Sequence, residues 1–141
     1  MIPRLVLDAS VALAWIVRAT DEQSRYASGI LGLIERDATT CAVPHLWHVE
    51  IANQLRALKV AGRMTRVKQL NAVHRLEALT LYTHHLGIEV RQVLELAERY
   101  HVAAYDALYV FLAVRDSLPL ATLDDGMAEA AQRAGVEIVE A

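Results

Sequence analysis

Four acidic side chains in apolar surroundings are the residues of this sequence best suited to chemistry. Asp8 closes the run Leu5-Val6-Leu7, Glu50 lies in HVEIANQL, Asp106 in YDALYVFLA and Asp124 in TLDDGM. An ionised carboxylate among aliphatic neighbours is costly unless a basic side chain, a helix N-terminus or a metal balances it. After Asp106 no further charge occurs until Arg115. Asn53 follows Glu50 by three residues, on the neighbouring turn of a helix, where its amide can orient the carboxylate or touch a metal itself. Each acid also has a plainer reading. Asp8 and Asp124 are favoured helix caps, Glu50 could pair with a core arginine, and Asp106 could answer a helix dipole. Gathered together, the four would instead suit a hard divalent cation such as Mg²⁺, which prefers octahedral oxygen ligation.

The elements that must position these groups alternate between strand and helix. Short apolar runs predict strands at 4–7, 39–43, 79–82, 118–121 and 136–139. Helical patterning predicts helices at about 10–18, 21–36, 46–62, 65–77, 88–100 and 103–116, and from Asp124 or Asp125 to about 134. Asp8 or Ser10 is the expected cap of the first, and the helix at 103–116 is apolar enough to be buried nearly all round. No tight hairpin signal such as Asn-Gly occurs. This pattern predicts an α/β fold in one domain over residues 1–141, with a central parallel sheet covered on both faces by helices. Ligands of such sheets bind beyond the carboxyl ends of the strands. Asp8 and Asp124 each follow a strand, so two carboxylates reach one edge.

Composition narrows the classes. The net charge of −3, from 14 basic and 17 acidic residues, does not describe a protein coated for nucleic acid. The distribution says more: from Ile51 to Leu76 there is no acid, while Arg56, Lys59, Arg63, Arg66, Lys68 and Arg75 all fall there. That segregation is a candidate polyanion footprint, with solvated helix faces as the alternative. Hydrophobic residues make up 55% of the chain, which leaves apolar surface for a partner. No apolar run reaches the roughly 18–20 residues that span a bilayer, and residues 1–17 lack the pattern of a secretory leader. The single Cys41 fits a reducing cytoplasm and reads as a small buried apolar residue. Among six histidines, His45 and His48 are three apart and His84 and His85 adjacent, but neither HExxH nor paired CxxC occurs, which argues against zinc. Trp15, Trp47, Tyr105 and Tyr109 are candidates for either core or groove.

The segments LVLDASVALAW, PHLWHVEIANQL, YDALYVFLA and LATLDDGMAEAAQRAGV resemble, in order and spacing, the four acidic motifs of PIN domains. The closest resemblance is to the toxin nucleases of VapBC toxin–antitoxin systems, and it runs from about Leu5 to Val139. It implies a three-layer α/β/α fold and a Mg²⁺- or Mn²⁺-dependent endoribonuclease whose metal ligands are Asp8, Glu50, Asp106 and Asp124. Ser10 and Thr122 fall where the family commonly has supporting hydroxyls, and Asn53 fits its Glu-x-x-Asn pattern. Asp125 stands where a basic or polar residue is common, and is read as a helix cap or a water-holding group. The resemblance also implies a cytoplasmic homodimer, neutralised by a small VapB-like antitoxin whose tail crosses the active groove. Arg56, Lys59, Arg63 and Arg66 are assigned to the RNA phosphates. Hydrolysis by a metal-activated water would leave a 5′-phosphate and a 3′-hydroxyl. A non-toxin RNA-processing nuclease and a catalytically inactive PIN-like binding module are the alternatives.

Overall fold

In the computed structural model, which describes residues 1–141, the apolar runs pair into one sheet. Strands β1 (Arg4–Leu7), β2 (Thr40–Pro44), β3 (Leu81–His84) and β4 (Leu120–Ala121) lie in the order β3-β2-β1-β4, with every pairing parallel. Helices α1 (Ala9–Ala14), α2 (Asp21–Asp37), α3 (Leu46–Val60) and α4 (Arg66–Glu77) pack among themselves. Helices α5 (Val90–Tyr100), α6 (Ala104–Asp116) and α7 (Asp125–Arg133) form a second group, in which α6 lies against β1, β2 and β4. The fold is therefore the α/β architecture that the alternation predicts, a parallel sheet flanked by helices. None of these helices is long and apolar enough to cross a membrane.

Strand order locates the site. The chain builds outward from β1 through β2 to β3, then returns to the other side of β1 for β4. At such a reversal the connections leave in opposite directions and open a crevice at the carboxyl ends of the two strands. Asp8 and Asp124 follow β1 and β4, the strands on either side of that crevice. Leu5, Val6 and Leu7 are fully buried, as a central parallel strand covered on both faces requires. They belong to one core cluster that also takes in Trp47, Ile51, Tyr109 and Leu112.

Several elements differ from the sequence expectation for local reasons. Helix α1 ends at Ala14 rather than near Arg18, where the Trp15 indole turns to donate to the Ala27 carbonyl at 2.7 Å. Strand β3 starts two residues later than expected because Ala78 and Leu79 still donate into the last turn of α4. Strand β4 has two residues, not four, and the expected strand at 136–139 reduces to a single parallel bridge between Leu120 and Ile138. The short β4 offers it no further backbone, although the Tyr26 hydroxyl ties the Val139 carbonyl down at 2.7 Å. Helix α6 is buried along its middle but exposes Tyr105 and Val114 towards its ends. Cys41 is buried in β2, and burial pushes its thiol up to about 12.

The packing of α6 on the sheet sets a first expectation. Leu112 is fully buried, so Leu112→Ala should cost about 2–5 kcal/mol in urea unfolding by opening a cavity beneath α6. A loss below about 1 kcal/mol would mean that α6 is not seated on the strands as described.

Candidate active site

A cleft of about 500 Å³ opens at the strand reversal, and Asp8, Glu50, Asp106 and Asp124 all line it, with Ser10, Asn53, Gln54 and Tyr105 among its other walls. The four acids come from the end of β1, the second turn of α3, the first turn of α6 and the turn after β4. None of them takes part in a salt bridge; the ion pairs of this protein are Arg36–Asp37, His84–Asp116 and Arg115–Asp116.

Asp8 is the most buried of the four, at 4% exposure. It occupies the N-cap position of α1, yet its side chain makes no capping bond. Ser10 and Thr122 hydroxyls both donate to its Oδ2 instead, at 2.6 and 2.8 Å. Those hydroxyls in turn accept backbone N–H groups, Leu123 onto Ser10 at 3.1 Å and Asp124 onto Thr122 at 3.0 Å. Neutral donors replace water without adding positive charge, so burial still raises the Asp8 carboxyl above its usual range, with a further push from Asp124.

Glu50 is half-buried, and the Tyr109 hydroxyl donates to its Oε1 at 2.7 Å. Burial and the charge of Asp8 raise Glu50 despite that bond. Burial, with Asp8 and Glu50 adding to it, also holds the Tyr109 hydroxyl protonated, so it serves as a donor. Asp124 uses Oδ1 to cap α7, accepting from the Met127 N–H at 2.9 Å. A Cβ at Gly126 would come within 3.3 Å of that oxygen, so glycine there leaves the cap its room. Three acids thus have one oxygen fixed by protein donors and the second without a side-chain donor. Asp106 is raised to about 6, first by burial and then by Asp124, Asp8 and Glu50.

As positioned, no three acidic, histidine or cysteine side chains are arranged to hold a metal ion. The donor set nevertheless suits one. Four carboxylates without a cation, their charges mutually unfavourable, face one cleft beside an amide, and Mg²⁺ is commonly held by one or two carboxylates with water completing its shell.

Other predicted site residues lie elsewhere. Asp125 lines a separate cavity with Thr20, Glu22 and Tyr26. Arg56, Lys59, Arg63 and Arg66 are exposed, and none lines the cleft. Lys59 follows Glu50 by nine residues, which at about 100° per residue sets it on the opposite side of α3. His48 also sits on the far side, with Nε2 at 2.8 Å from the Thr83 hydroxyl, and His84 meets Arg115. Trp47 and Tyr109 are core, whereas Tyr105 is on the cleft wall. Tyr109 as the partner of Glu50 and Gln54 as a wall residue are absent from the sequence reading. The one signal for Tyr109 is its position three residues after Asp106, on the same side of α6.

A parallel sheet with an acidic cleft at its strand reversal defines an α/β protein with an anionic, cation-free site. The PIN domain family profile matches residues 5–133, and the chain belongs to that family. Among solved structures, PAE2754 from Pyrobaculum aerophilum shares 22% identity with a TM-score of 0.67, the match covering 98% of this chain and 84% of that one. FitAcB from Neisseria gonorrhoeae shares 20% identity with a TM-score of 0.62, covering 96% of each chain. At these identities the likeness speaks for the fold. Comparison with curated proteins finds no match.

The raised acids predict a pH signature. A carboxyl whose folded value lies above its unfolded value binds its proton more tightly when folded, so its contribution to stability is lost as pH rises through the folded value. For Asp106 that window runs from about 4 to about 6. In chelator-treated protein, Asp106→Asn should therefore be more stable than the parent above pH 6, by about 1 kcal/mol once solvent screening is allowed for. The gain should disappear towards pH 4. Equal stability at pH 7.5 would show that neither burial nor the neighbouring carboxylates disfavour the charged Asp106.

Proposed function

We propose that this PIN domain is a divalent-metal-dependent endoribonuclease of the VapC toxin type, and that one PIN domain accounts for the whole chain. The observation that carries this reading is the convergence of four carboxylates from separate segments on one cleft without a basic partner. Membership of the PIN family and the resemblance of all four motifs to VapC toxins support it.

The groups assigned to the metal, Mg²⁺ or Mn²⁺, are Asp8, Glu50, Asp106 and Asp124. When bound, such an ion supplies an activated water and neutralises charge developing on the phosphate. The protein's own part is orientation. Ser10 and Thr122 hold Asp8 through Oδ2, Tyr109 holds Glu50 through Oε1, and the α7 cap holds Asp124 through Oδ1. Asn53 stands on the wall one helical turn from Glu50, where its amide can steady the carboxylate or a water. Asp125, outside the cleft, supports the start of α7. Assembly as a homodimer, a cytoplasmic setting and neutralisation by a VapB-like antitoxin complete the proposal. An open anionic cleft is a natural receiver for a basic side chain from such a partner.

The direct test is cleavage of RNA by purified protein with Mg²⁺ or Mn²⁺. Activity should require the metal, fall at least about 100-fold in Asp106→Asn, and leave 5′-phosphate and 3′-hydroxyl ends. Products ending in a 2′,3′-cyclic phosphate would rule out attack by water, and metal-independent activity would remove the metal from the chemistry. Mn²⁺ should also raise the melting temperature of the parent, because an ion that binds only the folded state stabilises it, and should raise that of Asp8→Asn less.

We assign the exposed basic set of α3, α4 and the turn between them, Arg56, Lys59, Arg63 and Arg66, to RNA phosphates outside the cleft. Neutralising Arg63 and Arg66 together should weaken RNA binding and flatten its salt dependence by about two counterions. An unchanged salt slope would place the RNA on another face.

A further inference from the structure

The cleft that holds the acids has no lysine, arginine or histidine on its walls. A polyanion entering it meets carboxylates with its phosphates and no side-chain cation, so uncharged contacts to its bases and sugars have to supply attraction there beside any bound cation. The rest of the wall suits bases. Leu13, Leu46, Val49 and Tyr105 present apolar surface, and Asn53 and Gln54 present amides with both donor and acceptor atoms.

Tyr105 stands out among these. It precedes Asp106 in the first turn of α6, and the residue is 62% exposed although the same helix buries Tyr109 completely. Val49, also on the wall, is 53% exposed one residue before Glu50. Each of the two helical acids is thus flanked on its N-terminal side by a large apolar side chain left in water. Packing of this chain on itself gives no reason for that exposure, and a planar ring on a rigid helix loses little freedom when it receives another ring. A nucleobase that is paired and stacked in a duplex has no free face to offer, whereas an unpaired base can turn out and lie on an aromatic side chain.

We propose that Tyr105 is a stacking platform for one base of the RNA, next to the phosphate that the acids address. The inference rests on the nuclease reading and deepens it by naming a side chain that positions the substrate. Stacking tolerates any base, so Tyr105 supplies affinity for unpaired strands, and discrimination among bases falls to Asn53 and Gln54.

The test measures binding of a fluorescent single-stranded oligoribonucleotide in Mg²⁺, on an Asp106→Asn background that stops turnover. Tyr105→Ala should weaken binding about tenfold or more, the range expected for the loss of one base–aromatic stack. Tyr105→Phe should restore most of it, and the salt slope should not change because no phosphate contact is lost. An abasic position walked along the oligonucleotide adds a coupling readout. At one position its removal should weaken the Tyr105 protein about as much as Tyr105→Ala does, and should cost the Ala variant nothing further.

Equal affinity of the Ala and Tyr forms, additive losses at every abasic position, or an equal loss for a blunt RNA duplex would overturn the platform. Loss of self-association or of antitoxin binding in Tyr105→Ala, with RNA affinity unchanged, would make the ring a protein contact instead. Parent protein that cleaves RNA while Tyr105→Ala binds and cleaves equally well sinks this inference alone. Parent protein with neither binding nor cleavage sinks the nuclease reading along with it.

Discussion

A carboxylate buried at the end of the central strand constrains the site more than any other single group. Asp8 is almost fully enclosed, and no cation of the protein offsets its charge. Burial without a counter-charge would favour the protonated acid or a structure that lets water in. This fold answers with two hydroxyls on the same oxygen, each polarised by a backbone N–H from the turn after β4. The chain of bonds runs from that turn through Thr122 and Ser10 to Asp8, and ties together two strands that are neighbours in space and far apart in sequence. Because the Asp124 N–H is one of those donors, the network that holds Asp8 also sets the residue bearing the fourth acid.

The same economy recurs at two of the other acids. Glu50 is held by the Tyr109 hydroxyl and Asp124 by the start of α7, each through one oxygen. A carboxylate held through both oxygens would be well oriented and of no further use, while one held through neither would turn freely in the cleft. Fixing a single oxygen limits side-chain rotation and leaves the other able to accept. The arrangement keeps like charges facing one cavity, and Asp106 is raised first by its burial and then by those neighbouring charges. Asp106, with no hydrogen-bonded partner on the protein side, is also the acid that feels all three of the others.

What could be read in the sequence follows from what is local. Asp8 and Asp124 announce themselves because an apolar run ending in an acid specifies both a strand and its carboxyl end, and the parallel order then brings the ends together. Glu50 and Asp106 are visible as charges within apolar helical patterns. The Tyr109–Glu50 bond spans 59 positions and depends on how α3 and α6 meet, which no spacing encodes. The early end of α1 is hidden for a similar reason, since Trp15 bonds to a carbonyl on another helix. The expected last strand has the right apolar residues, and Val136 and Val139 are indeed buried, but strand status needs a partner and β4 supplies only two residues. The basic stretch between Ile51 and Leu76 is plain as composition, yet whether it reaches the cleft wall depends on helical phase for Lys59 and, for Arg63 and Arg66, on where the chain goes after α3 ends. Asp125 differs from Asp124 by one residue, and that single step turns it onto another cavity.

The separation of basic residues from the cleft has a physical logic. A lysine or arginine within a few ångströms of these carboxylates would lower their proton affinity and pair with them, and a divalent cation would then have to displace it. Keeping the walls free of cations preserves an anionic site that a hard ion can enter. On the proposed nuclease reading, the consequence is that affinity for a polyanion cannot be built where its phosphate would react. On that reading it would come from outside the cleft, through exposed cations such as those of α3 and α4, and from contacts inside it that carry no charge. A site of this kind is also easily silenced. Any partner that places one basic side chain among the four carboxylates supplies the counter-charge that the fold itself withholds, and closes the cleft to metal and phosphate together.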